Sequence, residues 1–373
     1  MRRALVLARR GYGRTSPNPM VGAVLLAEDG TVLGEGWHRR AGGPHAEIEA
    51  LGAAIRRGAN PRGASLYVTL EPCCTHGRTP PCTDAILAAG VRRVIVAATD
   101  PNPRHAGRGF AILRQAGVIV ETGVLEREAS DLNEAFNHWI VHRTPFVTVK
   151  AAMTLDGKIA TARGESKWIT GEAARAVGMR LRQGADAVLV GVNTVLADDP
   201  RLTVRGAGGK AATGEGAVRR IILDSRARTP LAAQVVTDEW RQATLVVVTA
   251  RASRRRVAAL RQRVRVCEAP EGTGGGVDLG WLLRALGREN VVSLLVEGGG
   301  EVNASFLEQG WAQRVAFFYA PLILGGRRSR RGVAGEGAGS VAGVRDLRDL
   351  RWRRLGPDLY LTARVARTEE GPA

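Results

Sequence analysis

Lysine and cysteine are scarce in this chain, and each scarcity narrows what the protein can be. Lysine stands only at Lys150, Lys158, Lys167 and Lys210, so the other 50 of the 54 basic residues are arginine. A formal charge of +18 would suit a nucleic-acid partner. The arginines are dispersed, however, with small clusters only at Arg254 to Arg256 and Arg327 to Arg331, and no basic block has the interleaved aromatics of a single-strand platform. A biased composition and a phosphorylated substrate account for the charge more simply, so nucleic acid is not the expected partner. The four cysteines are Cys73, Cys74, Cys82 and Cys267, and three of them crowd into one short segment. That is too local to staple a secreted scaffold, which leaves metal ligation or redox chemistry. No apolar run approaches the roughly 18 residues of a membrane span. The apolar stretch behind Met1-Arg2-Arg3 is too short for a secretory signal, so the expectation is a cytoplasmic protein with no membrane partner.

What is present is enough for two cores. The chain has 373 residues, 45% of them apolar, which suggests two domains or slightly more. In the first half, Val21 to Leu26 and Thr31 to Gly34 flank Glu28-Asp29-Gly30 and read as a hairpin. His45 to Arg56 has helical spacing at Ile48, Leu51 and Ile55. Ser65 to Leu70, Val94 to Ala98 and Val118 to Glu121 read as strands, separated by helices over Pro81 to Ala89 and Gly109 to Ala116. This order implies a sheet with helices on both faces. The pattern restarts at Arg143-Thr144-Pro145 with a strand over Phe146 to Ala151. Strands are then expected over Ala187 to Val192, Arg220 to Leu223, Leu245 to Thr249, Ser293 to Val296 and Arg314 to Tyr319, again an α/β layout. Three glycine-rich segments, Gly206 to Gly216, Gly272 to Gly276 and Gly332 to Gly343, read as flexible surface loops.

The chemistry concentrates in His45-Ala46-Glu47 and in Glu71-Pro72-Cys73-Cys74, closed by Pro80-Pro81-Cys82. One imidazole and two thiolates with a fourth position open make a catalytic rather than a structural zinc site. In zinc deaminases such a metal activates water, while a glutamate two residues after the histidine shuttles protons without binding the metal. His45 and Cys82 each open an expected helix, where the positive dipole end favours a thiolate. Neither fragment means much alone, since a buried histidine and inert core cysteines would look the same. Cys74 stands one position off the motif and reads as a spare thiol. His138 and His142, four apart on an expected helix, lack the glutamate of a zinc-protease box and read as a solvated or packed face.

Eight residues separate Cys73 from Cys82, where nucleic-acid and nucleoside deaminases have two. That insertion, with His76-Gly77-Arg78-Thr79-Pro80-Pro81, resembles the bifunctional riboflavin-biosynthesis enzymes. These join a diaminohydroxyphosphoribosylaminopyrimidine deaminase to a 5-amino-6-(5-phosphoribosylamino)uracil reductase. The resemblance spans essentially the whole chain. It includes Ser16 to Gly22, Asp100 to Pro103, Gly107 to Gly109, Leu155 to Lys158, Gly164 to Thr170 and Thr194 to Pro200. It implies a cytidine-deaminase-like three-layer α/β/α domain over 1–143 and a dihydrofolate-reductase-like α/β domain over 144–373. It also implies zinc, NADPH, a phosphorylated pyrimidine substrate and a homo-oligomer.

Carried over by position, the resemblance makes His45, Cys73 and Cys82 the zinc ligands and Glu47 the proton shuttle. Asn18 would lie near the substrate, or be only a turn residue between two prolines. His76 and Arg78 would flank the pocket. In the reductase half, nucleotide contacts would include Ala152, Trp168, Thr194, Asp198 and Ser225. The run Gly299, Gly300, Glu301, Val302, Asn303, Ala304 and Ser305 would add to them, a glycine-rich turn before a helix being suited to phosphate. Ser166, Arg182, Leu202, Arg205 and Glu297 would touch substrate, with Arg182 and Arg205 as phosphate clamps. Lys150 would protonate the ring oxygen as the ribose opens, or hold the substrate electrostatically. Two other readings stand beside this one: a nucleic-acid or nucleoside base deaminase with a C-terminal binding domain, and a non-catalytic zinc-stabilised scaffold.

Overall fold

The computed structural model describes residues 1–76, 80–204 and 218–366, and the chain falls into two compact units, Met1–Arg143 and Thr144–Ala373. Arg78, Arg205 and the segment 206–216 lie outside the described residues. Among the described residues no helix is long and apolar enough to cross a membrane.

The first unit runs α1 (Arg2–Ala8), β1 (Gly22–Leu26), β2 (Val32–Trp37), α2 (Ala46–Arg56), β3 (Ser65–Leu70), α3 (Cys82–Ala88) and β4 (Arg93–Ala98). It closes with α4 (Arg108–Gln115), β5 (Ile119–Glu121), α5 (Glu126–Leu132) and α6 (Glu134–His142). The strands form one sheet in the order β2-β1-β3-β4-β5. The β1–β2 and β1–β3 pairs are antiparallel, β3–β4 and β4–β5 parallel. Alternation along the strands divides the core, as a period of two requires. Ala23, Leu25, Leu66 and Val68 face Ala46, Ala50 and Ile86 of α2 and α3, while Val24 and Tyr67 face Ala4 and Leu7 of α1. Helices therefore cover both faces, the expected three layers.

Helix and sheet approach so closely that only glycine fits between them. A Cβ at Gly22 would lie 2.0 Å from the Ala4 carbonyl oxygen of α1, and one at Gly34 would lie 2.1 Å from that of Ala50 in α2. At Gly36 the Ala46 oxygen would be 2.5 Å away. The start of α2, where His45 caps the helix, is thus seated on β2 by backbone against backbone.

The second unit begins with β6 (Phe146–Thr154), β7 (Lys158–Ala160), α7 (Glu172–Gln183), β8 (Ala187–Gly191), α8 (Val192–Asp198) and β9 (Arg219–Leu223). It continues with α9 (Gln234–Thr237), β10 (Thr244–Val248), α10 (Arg254–Arg261), β11 (Arg265–Glu268), α11 (Leu279–Arg288), β12 (Ser293–Val296) and α12 (Gly300–Glu308). The last elements are β13 (Arg314–Ala320), β14 (Arg330–Arg331), β15 (Leu347–Leu355) and β16 (Asp358–Val365). Nine strands make one sheet ordered β11-β10-β9-β8-β12-β6-β13-β16-β15. It is parallel from β11 to β13, and the antiparallel β15–β16 hairpin joins at β13. Every residue of β8 is buried, as a parallel strand covered on both faces must be. Leu189, Leu294 and Val296 pack under Leu282 and Phe306 on one face, and Val188, Val190 and Ile222 pack under Leu260 on the other.

Two glycine-rich segments are anchored by hydrogen bonds at their ends. Gly272–Gly276 closes on itself through a hydrogen bond from Gly272 N–H to the Gly276 carbonyl (2.9 Å). Gly332 is buried, and the start of its segment is tied to α12. Ala334 N–H donates to the Gly300 carbonyl (3.1 Å), and Asn303 Nδ2 donates to that of Gly332 (2.7 Å). The bond in the first segment is local, while those of the second are tertiary.

Candidate active sites

Three elements of the first unit deliver one cluster. His45 is the extended residue before α2, Cys82 is the first residue of α3, and Cys73 follows β3 through Glu71-Pro72. His45 Nδ1 lies 3.3 Å from Cys82 Sγ and 3.5 Å from Cys73 Sγ. The three donor atoms lie within 4.8 Å of one another, and among the described residues this is the group able to hold a metal ion. Cys82 N–H points at Cys73 Sγ (3.3 Å), so the start of α3 serves the Cys73 sulfur rather than the Cys82 thiolate expected from the sequence. Hydrogen bonding from Cys82 and His45 holds the Cys73 thiol well below its ordinary range, and Cys82 retains the shared proton. The hydrogen bond with Cys73 raises His45. Two sulfurs and an imidazole nitrogen this close can give up their protons to a bound metal cation.

Glu47, in the first turn of α2, is 3% exposed and hydrogen-bonded to Cys82. Burial, then the negative charge of Cys73, pushes its carboxyl up to about 7. Such a group can take and return a proton near neutral pH.

Asn18 is held by a residue that no sequence motif marks. His38, at the end of β2 and 2% exposed, bonds through Nδ1 to the Pro44 carbonyl (2.9 Å) and through Nε2 to Asn18 Nδ2 (3.1 Å). A carbonyl only accepts, so Nδ1 carries the proton and Nε2 accepts from the amide. The Asn18 oxygen has no hydrogen-bond donor among the described residues and can accept from another molecule. The His38 ring also stands edge-on to His45, centroids 5.3 Å apart. The sequence signal was a second histidine at a strand end, which is weak by itself.

Cys74 turns away from the cluster toward His105 (Sγ to Nδ1 3.7 Å), consistent with a thiol outside the ligand set. His76 is exposed. His138 and His142 pair with each other on α6, ring centroids 4.7 Å apart.

Glu71 was also overlooked. Its buried carboxylate accepts from the backbone N–H groups of Asp100 (3.2 Å), Gly107 (2.9 Å) and Gly109 (2.9 Å). A Cβ at Gly109 would meet the Pro72 carbonyl at 2.4 Å, so the 100–109 loop docks directly on the segment that carries Cys73. Glu71→Ala leaves buried donors without an acceptor. It is expected to cost the first unit about 3 kcal/mol, read by denaturant unfolding at fixed zinc, and Glu71→Gln should recover part of that loss. An unchanged midpoint in the alanine variant would count against this anchoring role.

The second unit holds a cleft of about 1740 Å³ at the C-terminal ends of its parallel strands. Lys150 and Ala152 of β6 line it, as do Ser166, Trp168, Arg182 and Thr194. Asp198, Leu202, Ser225 and Glu297 line it too. Of the run after β12, Gly299, Gly300, Glu301, Val302 and Ser305 face the cleft, whereas Asn303 and Ala304 are fully buried behind it. The Asn303 amide anchors the 332 segment, and its oxygen has no partner among the described residues.

Glu297 is the electrostatic centre of this cleft. Arg182 binds it through Nε to Oε1 (3.1 Å) and Nη2 to Oε2 (2.8 Å), and Lys150 Nζ lies 4.0 Å from Oε2. Burial works against the Glu297 charge, but Arg182 and Lys150 outweigh it and bring the carboxyl down to about 2. Arg182 also donates Nη1 to the Thr203 carbonyl (2.8 Å). Three of its five N–H donors are therefore committed and its charge is matched, which leaves less for a phosphate than the sequence suggested. Ser166 Oγ donates to Asp198 (3.3 Å), and Trp168, 71% exposed, lies under the Arg175 guanidinium. At the glycine turn, a Cβ at Gly298 or Gly300 would strike Val302 or the Arg331 carbonyl, while the space beside Gly299 is open. Such a turn at the N-terminus of α12 can receive a phosphate.

A family model described as the RibD C-terminal domain matches residues 145–361, and one described as the cytidine and deoxycytidylate deaminase zinc-binding region matches residues 1–98. The riboflavin biosynthesis protein RibD of Actinobacillus pleuropneumoniae is 43% identical over 364 residues, covering 97% of this chain and 93% of that protein. That of Aquifex aeolicus is 44% identical over 361 residues, covering 97% and 96%. Among solved structures, Acinetobacter baumannii RibD (form 1) superposes with a TM-score of 0.85 at 36% identity, covering 98% of both chains. A diaminohydroxyphosphoribosylaminopyrimidine deaminase/5-amino-6-(5-phosphoribosylamino)uracil reductase from Thermotoga maritima superposes with a TM-score of 0.82 at 36% identity, covering 98% and 97%. The cytidine-deaminase-like fold of the first unit and the reductase fold of the second follow from these likenesses. Neither a nucleic-acid-binding appendage nor a non-catalytic scaffold fits them.

Proposed function

The chain belongs to the RibD family of riboflavin-biosynthesis proteins, and from that premise we propose that its two units act in turn on one phosphorylated pyrimidine. The first hydrolyses an exocyclic amine of 2,5-diamino-6-(5-phosphoribosylamino)pyrimidin-4-one to a carbonyl. The second reduces the ribosyl group of the product to ribityl. The observation that carries this reading is the His45, Cys73 and Cys82 cluster with Glu47 buried against it.

The donor set fits zinc: one imidazole nitrogen and two sulfurs, with no fourth protein ligand among the described residues. A zinc ion held by His45, Cys73 and Cys82 would supply Lewis acidity for activating water. Glu47 takes a proton from the attacking water and passes it to the departing amine, and its burial keeps bulk water from competing for that proton. The Asn18 oxygen, directed by His38, accepts an N–H of the substrate. In the second unit NADPH supplies the hydride. The open space beside Gly299 suits its pyrophosphate, and the walls at Gly298 and Gly300 fit no larger residue. Glu297 Oε2 lies 4.0 Å from Lys150 Nζ at the floor of the cleft, where the lysine can protonate the ring oxygen as the ribose opens or hold that oxygen electrostatically.

The test is incubation of the full chain with that pyrimidine ribotide and NADPH, following ammonia and reduced-nicotinamide absorbance together. Ammonia should appear first, and NADPH should then be consumed one for one. NADPH loss without ammonia, or no ammonia from a zinc-replete chain, defeats the proposal.

A further inference from the structure

Resting on the reading of the second unit as an NADPH-dependent reductase, we propose that Arg228 binds the 2′-phosphate of the cofactor and so selects NADPH over NADH. The cleft crosses the strand order β6, β12, β8, β9 at their C-terminal ends. Lys150 lies on β6, and Glu297 with the glycine turn follows β12. Thr194 follows β8, and Ser225 and Arg228 follow β9. Three inter-strand steps of about 4.8 Å make roughly 14 Å, a span comparable with an extended dinucleotide.

The polarity of that span follows from charge. Hydride must arrive at the buried Lys150–Glu297 end, and pyrophosphate suits the open N-terminus of α12 at Gly299. The adenosine end is then left over β8 and β9, beside Ser225 and Arg228.

The turn that presents Arg228 is built rather than loose. Asp224, 1% exposed, accepts from Arg228 N–H (2.8 Å), from Thr229 N–H (2.6 Å) and from Thr229 Oγ1 (2.7 Å). The guanidinium is steadied by Nη2 donating to Asn193 Oδ1 (2.9 Å), a neutral partner that leaves its charge available. Lys167, Arg327, Arg330 and Arg331 also line the cleft, and Arg331 lies with its carbonyl against Gly300, at the pyrophosphate end; of the other cations, several are committed. Arg182 is matched by Glu297, and Arg175 donates to the Thr170 carbonyl across the Trp168 ring. Arg201 donates to Gln234, which is itself fixed to the Asp199 carboxylate. Among the described residues no carboxylate hydrogen-bonds Arg228. Its planar fork is free to take a phosphate, and the Ser225 hydroxyl on the same turn can add a neutral donor.

The experiment compares wild type, Arg228→Ala and Arg228→Lys with deaminated substrate and either NADPH or NADH. It also uses 2′,5′-ADP and 5′-ADP as competitive inhibitors. Arg228 is exposed, so a thermal midpoint near wild type is expected and checks folding. Arg228→Ala should raise KM for NADPH roughly ten- to a hundred-fold, the loss typical of one charge-assisted contact, while kcat with NADPH changes little. KM for NADH should hardly move. Inhibition by 2′,5′-ADP should weaken by the same factor as NADPH, inhibition by 5′-ADP should not, and Arg228→Lys should recover part of the loss. A wild type that prefers NADPH and an alanine variant that prefers it equally overturn this inference alone. A wild type indifferent between the cofactors overturns it as well. A wild type that oxidises neither overturns the reductase reading together with it.

Discussion

Glu47→Gln is expected to lower the rate of ammonia release by roughly 10³-fold, within the range usual for loss of a general acid–base group. The exchange is nearly isosteric, so the buried site beside Cys82 should keep its packing. An amide in that place can still hydrogen-bond, but it cannot accept the proton of an attacking water. On the proposed reading the ligands are His45, Cys73 and Cys82, so bound zinc should stay near one per chain, measured by elemental analysis of the purified variant. The variant should still oxidise NADPH when given substrate that is already deaminated, because its second unit is untouched. Near-normal ammonia release would remove Glu47 from the chemistry. Loss of zinc together with activity would make it a structural part of the metal site instead.

Glu297→Gln should be a costly change in the second unit. The wild-type carboxylate sits between Arg182 and Lys150 with its side chain 12% exposed. Removing its charge strands a guanidinium in a mostly buried place, and breaking such a pair costs about 3–5 kcal/mol. The effect carries a pH signature. Glu297 titrates near 2 in the folded chain, below the ordinary 4.5. A depressed carboxyl contributes its stability above the unfolded value and loses it as pH falls toward the folded one. That contribution, about 3 kcal/mol from the size of the shift, should be fully present at neutral pH and should disappear between about pH 4.5 and pH 2. Hydrogen exchange of the β6 and β12 amides reports on this unit alone. The gap in protection between wild type and Glu297→Gln should be wide at neutral pH and should close on acidification. A gap that stays constant with pH would show that packing, not charge, is what the variant lost. Reductase turnover should fall in the same variant, since Lys150 loses its counter-charge.

What is legible in the sequence follows the strength of the local signal. The His45, Glu47, Cys73 and Cys82 constellation was legible because metal ligation demands particular side chains at helix starts, and those starts are marked by prolines and helical spacing. The parallel strands of the second unit were legible because burial on both faces makes them continuous apolar runs, such as the one ending in Val190. Helix α1 was not, since seven residues flanked by arginines hold too little periodicity to separate from a charged leader. Its Ala4 and Leu7 declare themselves only against Val24. Strand β15 escaped for the opposite reason. Its sequence, Leu-Arg-Asp-Leu-Arg-Trp-Arg-Arg-Leu, is mostly exposed, and the shift in its pairing with β16 between Arg348 and Arg351 breaks the alternation that would betray a strand. His38 and Glu71 were missed because their roles depend on partners far along the chain. The pairing of Arg182 with Glu297 was not legible, because a guanidinium near a cleft says nothing of the carboxylate that holds it.

The glycines of β2 place a constraint on anyone redesigning the first unit. Gly34 and Gly36 contribute no atom to the metal cluster, yet they determine how deep α2 can sink, and with it where the His45 imidazole hangs. A single methyl at either position would act as a shim, lifting the helix by a fraction of its diameter and pulling one nitrogen away from two sulfurs that stay where they are. The injury would be read as weakened zinc affinity before it was read as unfolding. Tolerance maps of this unit should therefore show intolerant positions on a strand that never touches the ion.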